Sequence, residues 1–158
     1  MEEKKQIKDL VIPLSDYPHM PYWGTLEEAI VQLNAAFETG HNTILVFDEA
    51  YNLVGILLQK DILKGLQPKF AQHYEDGVPI FWDDLLKTGS EKQLAKPIKE
   101  FMSGVKTMID AYDSILKASH IMLQEETSLL PVMEGKKIIG VLRMGDLFHM
   151  ITDTVLNI

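Results

Sequence analysis

Two aspartates, Asp61 and Asp146, each follow a glycine by six positions within the same apolar pattern. The first copy reads LVGILLQKDIL from residue 53 and the second reads IIGVLRMGDLF from residue 138. A carboxylate offers two acceptor oxygens, which suits a ligand that presents two donors. It also stabilises the first turn of a helix, where the helix dipole is positive. The repeated aspartate therefore indicates either a binding group or a helix cap.

The other residues that could carry chemistry form no recognised catalytic or metal-binding pattern. The chain has no cysteine, which excludes disulfides, thiolate metal sites and a cysteine nucleophile. Its five histidines lack metal-ligand spacing, and its serines lie in no catalytic motif. Asp83 and Asp84 of FWDDLL are adjacent and do not face each other on a helix, so they are not an acid–base pair. We predict a protein that is not an enzyme and requires no cofactor or metal.

Composition restricts the partners. The 158 residues are 46% hydrophobic and carry a net charge of −8, which opposes non-specific binding to nucleic acid or to anionic lipid. The charged N-terminus MEEKKQIKDL does not look like a signal peptide, and no apolar run is long enough for a membrane span. We therefore expect a soluble, cytoplasmic protein without nucleic-acid or membrane partners.

The repeat extends beyond the aspartates to whole secondary-structure elements. Two strand pairs are predicted, at 44–47 with 53–58 and at 129–133 with 137–142, and each follows an amphipathic helix. Thr25 with Glu28 caps the first helix, and Asp113 or Ser114 caps the second. A further helix begins near Lys60 and near Gly145. Short extended segments, at 9–14 and 105–109, precede the two halves.

This organisation predicts an α+β fold made of two similar units. The first repeat covers residues 8–66, a partly helical connector covers 67–95, and the second repeat covers 96–158. A unit of about 60 residues is marginal alone, so the two are expected to pack together with pseudo-twofold symmetry. The stretch SDYPHMPYW, residues 15–23, has three large aromatic side chains, for which covering the end of the core is favoured over binding.

The ordered motifs resemble a tandem pair of cystathionine-β-synthase (CBS) domains. TLEEAIVQL, TILVFD and LVGILLQKD in the first half, and SILKASHIM, SLLPVM and IIGVLRMGD in the second, follow the family signature. The resemblance covers nearly the whole chain and implies β-α-β-β-α repeats, clefts between the repeats and dimerisation through helices. It also implies a regulatory role: binding of AMP, ADP, ATP or S-adenosylmethionine, and control of a partner that is not fused within these residues.

In nucleotide-binding members of this family the repeated aspartate accepts hydrogen bonds from the ribose hydroxyls, a role that falls here to Asp146 and Asp61. Such members carry Thr or Ser three positions after the glycine, where this chain has Leu58 and Arg143. A guanidinium can hold a phosphate bidentately, so the second repeat is predicted to be the better site. The resemblance further places backbone or side chains of the following residues at the two sites: Thr107, Met108, Ile109, Ser128, Leu130, Pro131 and Thr43.

Two functions stay open at this point. The first is a ligand-sensing regulatory module with an adenosine nucleotide in at least one cleft. The alternative is a degenerate pair that acts as a dimerisation or docking module without nucleotide. In both cases a homodimer is expected, with an unknown regulated protein as the further partner. The residues predicted near the dimer interface are Ala29, Leu33, Ile115, Ala118 and Met122, together with the helices that follow Asp61 and Asp146.

Overall fold

The structure is a computed structural model and describes residues 6–66 and 91–157. Within these residues the elements, in chain order, are β1 (Ile12–Pro13), β2 (His19–Pro21), α1 (Leu26–Ala35), β3 (Thr43–Phe47), β4 (Leu53–Leu58), α2 (Gln59–Leu66), β5 (Ile109–Asp110), α3 (Ile115–Gln124), β6 (Leu129–Glu134), β7 (Lys137–Arg143) and α4 (Met144–Leu156). The predicted α+β class is confirmed, and the ends of the four main strands lie within one residue of the prediction. Asp83 and Asp84 lie outside the described residues, as does the connector apart from 91–95.

The chain divides into two compact units that do not follow sequence order. Unit 1 joins residues 6–17 to residues 106–157, and unit 2 is the continuous segment Pro18–Val105. The repeat boundaries 8–66 and 96–158 stay a prediction, because the units group segments by packing rather than by repetition.

Unit 2 contains a three-stranded sheet in the order β2-β3-β4, in which β2 runs parallel and β4 antiparallel to β3. Helix α1 begins at Thr25, whose hydroxyl oxygen accepts a hydrogen bond from the backbone N–H of Glu28 at 3.2 Å, as predicted. The apolar faces of α1 and α2 cover the sheet. The core of this unit consists of Met20, Leu26, Ala29, Leu33, Ile44, Val46, Leu57, Ile62 and Ile98.

Unit 1 contains a four-stranded sheet in the order β1-β7-β6-β5, with β5 parallel to β6 and the other pairs antiparallel. Ser114 is the cap of α3, because its hydroxyl oxygen accepts from the backbone N–H of Lys117 at 3.1 Å. Asp113 instead pairs with the ammonium group of Lys117. The core of this unit consists of Ile7, Ile109, Ala111, Ala118, Met122, Leu130, Val132, Leu142 and Leu147.

The extended segment predicted at 9–14 does contain a strand, but that strand belongs to unit 1. Ile12 of β1 lies opposite Val141 of β7, whereas the parallel strand of unit 2 is β2, inside the aromatic stretch 15–23. In unit 2 the residue that corresponds to Ile12 is Ser103, which forms an isolated antiparallel bridge with Ile56 of β4. We call residues 7–13 and 98–103 the crossing segments. The segment 9–14 thus precedes the first half in sequence, as predicted, but its strand pairs with β7 of unit 1.

Both repeated glycines lie beneath a crossing segment. A Cβ on Gly140 would lie 2.0 Å from the carbonyl oxygen of Ile12, and one on Gly55 would lie 2.5 Å from Sδ of Met102. No other residue type allows such a close approach without displacing the neighbouring chain. The glycine of the repeated motif is therefore explained by packing within each unit.

The residues predicted at a dimer interface lie inside the units. Ala29, Leu33, Ala118 and Met122 are buried in the core of their own unit, and Ile115 packs against that of unit 1. For these four buried residues the prediction is wrong, because the most apolar face of α1 and α3 covers the sheet of the same unit. The predicted place of α2 and α4 near an interface stays a prediction. The exposed apolar side chains of these helices and of α4 are instead Val31, Leu116, Leu123, Phe148, Val155 and Leu156.

Candidate functional site

One end of the unit 1 sheet collects most of the polar residues predicted to bind a ligand. Strands β5 and β6 are parallel, so both begin at the end where β7 finishes and α4 starts. Leu129, at the start of β6, lies directly opposite Arg143, the last residue of β7. The residues at this end are therefore Thr107 and Met108 before β5, Ser128 before β6, and Arg143 and Asp146 at the junction of β7 with α4.

Arg143 and Asp146 form a two-pronged ion pair at this end. Nε of Arg143 donates to Oδ2 of Asp146 at 3.0 Å, and a terminal guanidinium nitrogen donates to Oδ1 at 3.3 Å. Each side chain keeps 32% of its surface exposed, so the pair is accessible to a ligand. Arg143 also occupies the cap position of α4, and Asp146 lies in the first turn, where the helix dipole favours a negative charge.

Backbone hydrogen bonds fix the start of α4 relative to β6. The N–H of Met144 donates to the carbonyl oxygen of Ser128 at 2.8 Å. The hydroxyl group of Thr127 donates to the carbonyl oxygen of Leu129 at 2.9 Å. The loop before β6 is thus held against the helix that carries Asp146, while the side chain of Ser128 remains exposed.

The other residues predicted for this site divide by exposure. Ile109, Leu130 and Pro131 are buried, and the first two belong to the core of unit 1, so their side chains serve packing. Thr107 is half-buried, and Met108 is exposed. A ligand at this end would meet the side chains of these two residues and only the backbone of the buried three.

The corresponding end of the unit 2 sheet is arranged differently. Asp61 is only 8% exposed, and its Oδ2 accepts the backbone N–H of Leu58 at 2.9 Å. The hydroxyl group of Ser103 lies 3.3 Å from each carboxylate oxygen. Thr43 is buried opposite Leu58, and its hydroxyl group bonds to the side chain of Asn42 at 3.1 Å. The two repeated aspartates therefore share a position in the fold but have different surroundings.

Ser103 is the residue that sequence reasoning missed. Its crossing segment begins with Ile98-Lys99-Glu100, which repeats the Ile7-Lys8-Asp9 of the other crossing segment. In each triplet the isoleucine is fully buried. The backbone N–H of Lys8 donates to the carbonyl oxygen of Ala111, and that of Lys99 donates to the carbonyl oxygen of Tyr22. Alignment of these triplets would have located both crossing segments.

A second polar arrangement lies near the hairpin turns, away from the aspartates. The hydroxyl group of Tyr112 donates to Glu134 at 2.8 Å, and Lys8 lies over the tyrosine ring, 5.5 Å from its centre. In unit 2 the hydroxyl group of Tyr22 donates to Glu49, with Lys99 at 5.6 Å from the ring centre. These hydrogen bonds to carboxylates raise the pKa of both tyrosines.

The aromatic stretch 15–23 therefore serves several purposes. Tyr17 is buried, as expected of a side chain that closes a core, whereas Trp23 is largely exposed and packs edge-on against Tyr22. Tyr22 anchors the turn between β3 and β4 through Glu49.

Across residues 6–66 and 91–157 there is no cluster of three or more His, Asp or Glu side chains that could hold a metal ion. Over the same ranges no helix is long and apolar enough to cross a bilayer.

Comparison with known proteins identifies the fold and the second repeat. Residues 98–153 match the CBS domain family. None of the curated proteins matches the chain.

Three solved structures illustrate the likeness. The CBS-pair protein CBSX2 from Arabidopsis thaliana has 18% sequence identity and a TM-score of 0.71, covering 99% of this chain and 100% of its own. A CBS domain-containing protein from Kribbella flavida has 15% identity and a TM-score of 0.73, covering 94% and 98%. The structure of CBSX2 in complex with AMP has 17% identity and a TM-score of 0.67, covering 94% and 97%.

At these identities the structural likeness establishes the fold, and the family match is independent of it because it rests on sequence. The two findings agree on the second repeat, and the structural likeness covers the first repeat as well. Residues 98–153 therefore match the CBS domain family in sequence, and the chain as a whole has the fold of CBS-domain pairs.

Proposed function

We propose that this protein is a regulatory module that binds an adenosine-containing nucleotide at the Arg143–Asp146 end of unit 1. Nucleotide binding there would change how this protein modulates the activity of a separate protein. The observation that carries the proposal is the accessibility of Asp146, whose side chain is 32% exposed at the position of the repeated aspartate. A structural neighbour, CBSX2, is known in complex with AMP, which supports the choice of ligand class.

Asp146 and Arg143 would divide the recognition of a nucleotide between them. The carboxylate offers acceptors to the two ribose hydroxyls, and hydrogen bonds to a charged acceptor contribute about 1.5–3 kcal/mol each. The guanidinium suits a phosphate because its donors form a planar fork. Since the two side chains already bind each other, a ligand would exchange part of their pairing for its own contacts.

The phosphate contact favours AMP, ADP or ATP over a ligand without phosphate. S-adenosylmethionine shares the adenosine moiety but offers Arg143 a carboxylate and no phosphate. Met108 provides an exposed apolar side chain at the same end, against which an adenine ring can pack. The proposal assigns no bond-making step to any of these residues.

Isothermal titration of ATP and of adenosine into the wild-type protein and the Arg143→Ala variant tests the phosphate contact. We expect the substitution to weaken the binding of ATP by about 1–3 kcal/mol and that of adenosine much less, because only ATP presents phosphates. A matched control is Lys117→Ala, which removes a cation of α3 that pairs with Asp113 and lies away from Arg143 in the sequence. Equal losses for ATP and adenosine would show that Arg143 does not contact phosphate.

The ribose contact is tested by Asp146→Asn. Asparagine keeps the shape of the side chain but replaces one acceptor oxygen with a donor, so it cannot accept both ribose hydroxyls. We expect at least a tenfold loss of affinity, about 1.4 kcal/mol. Asp153→Asn, an exposed position on the same helix, is the control that should leave the affinity unchanged. Unchanged affinity in both Asp146→Asn and Asp153→Asn would show that Asp146 acts only at the start of α4 and does not contact the ligand.

The alternative function, a docking or dimerisation module without nucleotide, is supported by one specific observation. Helices α3 and α4 contact each other, and each carries exposed apolar residues seven positions apart, Leu116 with Leu123 and Phe148 with Val155. Residues seven positions apart lie on one face of a helix. We propose that a second copy of the chain covers this face in a homodimer.

Sedimentation equilibrium measures the dimer directly, since the chain has a mass of 17.9 kDa. Phe148→Glu is expected to shift the species toward the monomer because a buried charge without a partner opposes association. Phe37→Glu, an exposed aromatic position in unit 2, is the matched control. A wild-type protein that sediments only as a monomer at micromolar concentration would refute the dimer.

A further inference from the structure

The carboxylate of Asp61 is held by its own chain from two directions. The backbone N–H of Leu58 donates to Oδ2 at 2.9 Å, and the hydroxyl group of Ser103 lies 3.3 Å from both oxygens. With 8% of the residue exposed, little of this carboxylate remains accessible to any other donor.

Ser103 is held in position by its backbone. Its N–H donates to the carbonyl oxygen of Ile56 at 2.9 Å, and its carbonyl oxygen accepts from the N–H of Ile56 at the same distance. The crossing segment 98–103 is therefore fixed on β4 at two backbone groups, and the hydroxyl group adds a third contact through Asp61. Displacement of that hydroxyl group would require movement of the segment or rotation of the side chain.

The other unit lacks this contact because of a single residue difference. Ser103 faces Ile56 of β4, and the residue that holds the same place on β7 is Ile12, opposite Val141. Isoleucine has no hydroxyl group, and Asp146 is paired with Arg143 instead. The hydroxyl group is thus present only beside the less accessible of the two aspartates.

We propose that the Ser103 hydroxyl group takes the place that a ligand hydroxyl would occupy on Asp61, and that Asp61 is a latch for the crossing segment rather than a ligand residue. This rests on the proposed function in one respect: the chain then binds one nucleotide, at Asp146. Ser103 is a positioning residue that determines which of the two repeated aspartates is open. Leu58 reinforces the difference, because its side chain offers no polar group to a ligand.

The latch itself is tested without any ligand, by thermal unfolding of the free protein. Ser103→Ala is expected to lower the melting temperature by about 3–6 °C in the wild-type background. In an Asp61→Ala background the same substitution should lower it by less than half as much, because its partner is already gone. Asp61→Asn serves as the milder background if Asp61→Ala does not fold. Equal decreases of the melting temperature in both backgrounds would show that the Ser103 hydroxyl group does not act through Asp61, and would overturn the proposal.

The consequence for binding is tested by titration with AMP as the probe. We expect one AMP per chain, an affinity within twofold of the wild-type value for Asp61→Asn, and at least a tenfold loss for Asp146→Asn. Two AMP molecules per chain, or equal losses in the two variants, would overturn the assignment of Asp61. If AMP and ATP both fail to bind the wild-type protein, the proposed function fails, and the unfolding experiment still decides whether Asp61 is a latch.

Discussion

Replacement of Gly140 by alanine should disrupt the place where the chain crosses itself most closely. The new Cβ would lie 2.0 Å from the carbonyl oxygen of Ile12, 2.7 Å from Cγ1 of Val11 and 2.9 Å from the carbonyl carbon of Ile12. Non-bonded carbon atoms prefer about 3.5–4.0 Å, so β1 would have to retreat by more than about 1 Å. Two of the three clashing atoms belong to backbone, which cannot rotate away as a side chain can.

The magnitude follows from three contributions. Overpacking costs about 1–3 kcal/mol, and loss of a hydrogen bond between β1 and β7 adds about 1 kcal/mol. The reduced freedom of the unfolded chain offsets about 0.4–1 kcal/mol of this. We therefore expect Gly140→Ala to lower the free energy of unfolding by about 1–3.5 kcal/mol, and the melting temperature by about 2–14 °C.

Two further glycines provide matched comparisons in urea or thermal unfolding. At Gly55 the closest atom is Sδ of Met102, at 2.5 Å, and that flexible side chain can move, so Gly55→Ala should cost only about 1–2 kcal/mol. Gly145, in the first turn of α4, has nothing within 4 Å, so Gly145→Ala should be neutral or stabilising by up to about 1 kcal/mol. A Gly140→Ala protein as stable as Gly145→Ala would refute the reasoning.

Three other predictions concern local contacts and are read from urea unfolding. Ser114→Ala removes the cap of α3 and should lower the free energy of unfolding by about 1 kcal/mol. Hydrogen bonding from the backbone N–H of Asn52 holds the pKa of Asp48 below its usual 3.8, so this carboxyl stabilises the fold above that pH. The contribution is lost as the pH falls through the lowered pKa, and Asp48→Asn should flatten the decline. The hydrogen bond to Glu134 raises the pKa of Tyr112 above 10.0, so its contribution is present below pH 10.0 and lost as the pH rises through the raised pKa. Tyr112→Phe should flatten that alkaline decline, and an unchanged slope would contradict the role of the hydrogen bond.

The strands, hairpins and helix caps could be predicted because their signals are local. The strand pair 43–47 with 53–58 is encoded by two apolar runs around a polar turn, and Thr25 acts on an amide three residues away. The partners of the crossing segments could not be found this way, since nothing near Ile12 specifies that it pairs with Val141. The repeated triplets at 7–9 and 98–100 were the available signal.

The candidate site was predictable only in part for the same reason. The motif gives Asp61 and Asp146 identical positions, and the local difference between Leu58 and Arg143 correctly indicates that their surroundings differ. Ser103 lies 42 positions from Asp61 along the chain, and only the fold brings the two together. The hydrogen bond between Ser103 and Asp61 therefore depends on a segment at the start of the second repeat.

The interleaving of the chain has a consequence for its biosynthesis. Ile12 is synthesised 129 residues before its partner Val141 (12 to 141). At about 5–20 residues per second the early segment waits for on the order of ten seconds with an unpaired strand edge. During that interval Pro18–Val105 can complete its own core, whereas the unit that carries Asp146 cannot form. The Arg143–Asp146 site would thus form only after β7 has been made, so that a product truncated before β7 would contain Asp61 and Ser103 but not Asp146.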